Sequence, residues 1–141
     1  MAIRVYHPTL PSFTVENPAR LMTMLDGVMG DYTFDAEDLA AWERERDADH
    51  VRREAARRMI ALVGARDERH LNVLISNAQR EALRLLKKGE ANWTPEEVAR
   101  AAEFEQIDAA IEAIRAASNA MEAENPVPTG AAMNTDPRWP A

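Results

Sequence analysis

Among its 141 residues the chain has no cysteine, which excludes disulfide staples, thiolate ligands and thiolate nucleophiles alike. It has no apolar run long enough to span a bilayer, and its first residues lack a basic patch leading into an apolar signal core. The expected product is soluble, begins in a cytoplasm and has no membrane partner. Positive charge is also short, with 17 Lys and Arg against 24 Asp and Glu and a net charge of -7. A phosphate-backbone binder clusters cations on one face, so nucleic acid is not an expected partner.

Glycine is scarce as well, and none of the five frames a nucleophilic serine, a phosphate loop or a dinucleotide fingerprint. The serines are Ser12, Ser76 and Ser118 alone. Of the three histidines, His7 and His70 have no recognisable partner. His50 has Glu54 one turn away with Asp47 and Asp49 nearby, enough to draw a weak divalent-metal site. The same residues suit a solvated, charge-laced helix, and no second histidine stands at ligand spacing. Acid pairs such as Asp35 with Asp38 and Glu96 with Glu97 fall at helix starts, where capping accounts for them. No catalytic residue, cofactor site or metal ligand is therefore expected, and the chain reads as a non-enzyme.

What the sequence does contain is helical periodicity. Thr94-Pro95-Glu96-Glu97 supplies a cap, a first-turn proline and a capping-box carboxylate. Phe104, Ile107, Ile111, Ile114, Ser118 and Met121 then recur at steps of three and four, a narrow seam suited to lying against another helix. Residues 67–88 carry Leu71, Leu74, Ile75, Ala78, Ala82, Leu85 and Leu86 on one face and stop at Gly89. This segment is basic and the next is acidic; the short connection from Gly89 to Thr94 predicts an antiparallel hairpin of the two. Alanines along residues 102–120 leave room for a further helix, from this chain or another.

An earlier helix is predicted over residues 36–63, acidic first and basic last, closed by Gly64. Its apolar residues gather at its two ends, so its middle is expected in solvent. Residues 1–34, with Pro8, Pro11 and Pro18, read as a mostly irregular apolar arm with a strand-like piece at residues 3–6 and a brief helix from Pro18 to Gly30. That arm either folds back on its own bundle or docks on a neighbouring subunit. Residues 125–141 open with Asn125-Pro126-Val127-Pro128 and are expected as an extended proline-rich tail.

The resulting expectation is an all-α chain: an irregular arm over 1–34, a small helical bundle over 35–124 with helices at 36–63, 67–88 and 95–123, and a tail over 125–141. The packing seam comprises Leu71, Leu74, Ile75, Leu85, Phe104, Ile107, Ile111, Ile114 and Met121. Candidate partner anchors are Phe13, Met22, Met24 and Trp139, because Met-rich and aromatic surfaces suit adaptable contacts.

Trp93-Thr94-Pro95-Glu96-Glu97, the run from Ala113 to Ala123, and the closing Asp136-Pro137-Arg138-Trp139-Pro140 resemble small proteins of tailed bacteriophages encoded near tail-fibre and baseplate genes. The resemblance covers roughly residues 65–141. It implies a helical-hairpin module without catalysis, located in the virion tail, that joins a fibre or baseplate as a structural subunit or adaptor, with other tail or fibre subunits as partners and self-association as an option. A tail-fibre assembly chaperone is the alternative, and an acidic host-defence inhibitor that mimics nucleic acid a more distant one.

Overall fold

The computed structural model describes residues 1–24 and 29–141. Most of them are helical: α1 (Pro18–Met24), α2 (Ala36–Val63), α3 (Glu68–Lys88), α4 (Pro95–Glu122) and α5 (Gly130–Asn134). Three short strands accompany them, β1 (Ile3–Tyr6), β2 (Phe13–Val15) and β3 (Thr33–Phe34). Chain contacts divide the molecule into two compact units, Met1–Ala48 and Asp49–Ala141, with the boundary inside α2. Among the described residues no helix is long and apolar enough to cross a membrane.

In the first unit β1 is the central strand of an antiparallel sheet ordered β2-β1-β3. Ile3 opposes Val15, and Val5 opposes Phe13 on one side and Phe34 on the other. Ile3 and Val5 are fully buried while Arg4 and Tyr6 face outward, the two-residue period of a half-buried strand. β1 falls on the strand-like piece expected at residues 3–6, and its two partner strands correct the expectation that the rest of the arm is mostly irregular. Strands of three and two residues are too short to show alternation in sequence; main-chain pairing to β1 defines them instead.

Side chains at the start of α2 complete that unit. The Asp35 carboxylate accepts the amides of Glu37 and Asp38 at 3.1 Å each, capping the helix, and accepts the Tyr6 hydroxyl at 3.2 Å. Asp38 accepts the Arg4 amide at 3.0 Å. Cap and sheet thus share carboxylates, and the bond from the Asp38 amide leads the causes that hold Asp35 below the usual carboxylate range. Helix α1 is opened by Asn17, whose side chain accepts the Arg20 amide at 3.1 Å. Its expected continuation toward Gly30 lies outside the described residues.

The second unit is built around one apolar cluster. Val51 and Ala55 of α2, Ile114, Ala117 and Met121 of α4, and Val127, Met133 and Trp139 from beyond it are buried together, with Met59 packed alongside. The middle of α2 is therefore a packing surface, contrary to the expectation of a solvated stretch. Val51 and Ala55, one turn apart on α2, face the same cluster as Ile114, Ala117 and Met121 of α4. Glu54, also buried, accepts bonds from Arg57 and Arg58 at 2.7 Å, so its charge enters the packed face already compensated.

The extended tail is likewise corrected. After α4 the chain turns back and forms α5, and Trp139 is only 6% exposed. Its Nε1 donates to the Met133 carbonyl at 2.7 Å. The Arg58 guanidinium lies 4.8 Å from the indole centroid and donates to the Asn134 carbonyl at 2.8 Å. Arg138 is held by Asp136, its bonds keeping that carboxyl down at about 2, and also pairs with Glu124. Prolines forbid a long helix here but not burial; the apolar residues Val127, Met133 and Trp139 supply the burial.

Candidate interaction groove

Helix α3 ends where Gly89 takes a positive φ of 81° and its N–H reaches the Leu85 and Leu86 carbonyls at 3.1 and 3.3 Å. A single 3-10 turn, Glu90–Asn92, follows. Trp93 then folds back, its Nε1 donating to the Leu85 carbonyl at 2.8 Å. Thr94 caps α4 in a reciprocal box: its hydroxyl accepts the Glu97 amide at 3.3 Å while its own amide donates to the Glu97 carboxylate at 2.9 Å.

That carboxylate also joins the two helices. Lys88 reaches Glu97 at 2.7 Å and Arg84 reaches it at 3.0 Å, while Arg84 also pairs with Glu81 at 2.8 Å. Lys88 leads the causes that pull the Glu97 carboxyl down to about 2, followed by the Thr94 amide and Arg84. The ends of α3 and α4 are thereby clasped side by side. Farther along, Leu74 and Ile75 of α3 stand with Ile107 and Ile111 of α4, so the helices run antiparallel.

Between them lies an open groove of about 580 Å3. Its floor is Leu74, Ile75, Ala78 and Ala82 of α3 with Phe104, Ile107 and Ile111 of α4, and the last residues of α2, Leu62 and Val63, close one end. Glu103, Glu105 and Asp108 form its charged rim. The apolar side chains here are incompletely covered: Leu74, Ile75, Phe104 and Ile107 are half-buried, and Leu62 is exposed.

The single seam read along α4 thus has two fates. Ile114 and Met121 enter the closed cluster with α2 and the tail. Phe104, Ile107 and Ile111 line the groove, although Ile111 is itself buried. On α3, Leu71 and Leu85 are buried, but Leu74 and Ile75 face the groove and Leu86 is 74% exposed. A helix with so continuous an apolar face buries only part of it within this chain.

The candidate anchors are divided between the two units. Phe13 lies in the first unit, 39% exposed, with its ring edge-on to Tyr32 at 6.0 Å. Met22 on α1 is 42% exposed. The side chain of Met24 lies outside the described residues. Trp139 is a core residue of the second unit and cannot reach a partner without unpacking it. The role of Arg58 had no signal in the sequence, because its partners Asn134 and Trp139 are far along the chain.

Glu54, one turn beyond His50, is committed to Arg57 and Arg58, which hold it below the usual range, Arg57 first. Among the described residues no group of three or more His, Cys, Asp or Glu side chains is placed to hold a metal ion. No family model, curated protein or solved structure matches the chain.

Proposed function

We propose that this chain is a non-enzymatic structural subunit or adaptor that acts by helix packing, with the α3–α4 groove as its principal contact surface. The observation that carries the reading is the divided fate of the α4 seam. One half is sealed by α2 and the tail, and the other half presents Phe104 and Ile107 in an open apolar channel. An uncovered apolar face of this kind is characteristic of a surface that receives a partner. The best-organised carboxylates, Glu54, Glu97 and Asp136, are engaged in arginine and lysine pairs that serve folding.

The setting follows from the resemblance of residues 93–97, 113–123 and 136–140 to small tail-associated bacteriophage proteins: a fibre or baseplate component of the virion tail. Mass spectrometry of purified particles of the encoding phage tests this. The expected result is this polypeptide in stoichiometric amount. Its presence in infected cells with absence from particles contradicts a structural subunit and moves the chain to the assembly-chaperone reading.

A further inference from the structure

We infer that the occupant of the groove is a second copy of this chain, whose own α3–α4 hairpin packs face to face with the first to close a four-helix bundle. This rests on the reading of the groove as a contact surface and adds the identity of what covers it. Charge is the first argument. Helix α3 carries Arg69, Arg80, Arg84, Lys87 and Lys88 against Glu68 and Glu81, whereas α4 carries Glu96, Glu97, Glu103, Glu105, Asp108, Glu112 and Glu122 against Arg100 and Arg115. One hairpin therefore offers a basic rod and an acidic rod side by side. A twofold axis parallel to the helices sets each α3 beside the partner's α4, so opposite charges meet along both seams. An axis across the helices would set α3 on α3 and α4 on α4, aligning like charges, which disfavours it.

Shape and extent agree. The groove floor of Ala78 and Ala82 beside Phe104 and Ile107 sets small residues against large ones, and a twofold copy supplies the complementary relief. From Leu71 to Lys88, α3 rises about 26 Å at ~1.5 Å per residue. With helix axes about 8–10 Å apart, a two-helix face is roughly 20 Å wide, giving on the order of 500 Å2 in projection and more once side-chain relief is counted. That approaches the roughly 800 Å2 per partner of a standard stable interface. The bundle would also cover Leu86, one turn beyond the groove-lining Ala82 and exposed in the single chain.

Sedimentation equilibrium of the full chain at micromolar concentrations is the test. The expected mass is twice 15.8 kDa, and Phe104→Asp, at a half-buried groove position, should weaken association by about thirtyfold or more with helicity retained. Because the chain has no cysteine, Ala82→Cys and Glu103→Cys can be made separately and mixed. The expected product is a disulfide between the two variants, with little from either alone. A monomer at tens of micromolar, a dimer indifferent to Phe104→Asp, or cross-linking of each variant only with itself overturns the inference. Particle content separates it from the proposed function: a monomer found stoichiometrically in particles refutes only the second copy, and a dimer absent from particles refutes only the structural role.

Discussion

Replacing Trp139 by alanine should be among the most damaging single changes in the second unit. The indole is 6% exposed and packs with Val51, Ile114, Met121 and Met133 among others. Emptying such a site costs about 3–5 kcal/mol. Removal also ends the bond to the Met133 carbonyl at 2.7 Å, a term of about 1 kcal/mol, and the Arg58 contact, about 0.5–1 kcal/mol because that side chain is partly solvated. These terms overlap, and the tail can settle partly into the space, so the expected net loss is about 4 kcal/mol. At roughly 3 °C per kcal/mol for a chain of this size, Tm falls by about 12 °C. Urea unfolding followed by far-UV circular dichroism, at fixed protein concentration, measures the change. Trp139→Phe keeps most of the volume and loses the hydrogen bond, so about 1–2 kcal/mol is expected. A loss below about 1 kcal/mol for the alanine variant would mean that the tail does not belong to the core, and the account of this unit would fail.

Other perturbations address the clasp between α3 and α4. Thr94→Ala removes one half of the capping box and should destabilise by about 1 kcal/mol in the same unfolding assay, with Thr94→Ser close to wild type. Gly89→Ala should also cost about 1 kcal/mol: a Cβ there meets only the Asn92 side chain at 3.7 Å, so the penalty is the positive φ of 81° rather than a clash. Glu97 has a folded-state pKa of about 2, depressed from 4.5, so its contribution is complete above 4.5 and disappears as pH falls toward 2. Stability measured across that window should fall less steeply in Glu97→Gln than in wild type, and parallel pH profiles would show that the carboxylate is not held by Lys88 and Arg84.

The parts of the fold that were legible in sequence are those written locally. Asp67, whose side chain accepts the His70 amide at 2.7 Å, Gly89 and the Thr94 box mark helix limits with residues that make the terminal bonds themselves. The sheet was legible only at β1, whose alternation marks residues 3–6; its partners Phe13–Val15 and Thr33–Phe34 are too short to carry a pattern. Proline density at 125–140 correctly excludes a long helix but says nothing of burial, and the docking of Trp139 depends on Arg58 far away on α2. The groove was half legible. Periodicity placed Phe104, Ile107, Ile111, Ile114 and Met121 on one seam, yet a period cannot say where the covering helix ends. In the fold α2 reaches only as far as Leu62 and Val63 at the groove's end, which leaves the first half of the seam uncovered.

That uncovered half carries the functional account. Quantitative mass spectrometry of particles assembled with Ile107→Asp, compared with wild type at equal intracellular abundance and helicity, tests it most directly. The account predicts that the variant is lost from the particles while the folded chain persists in the cell; incorporation at the wild-type level would contradict it.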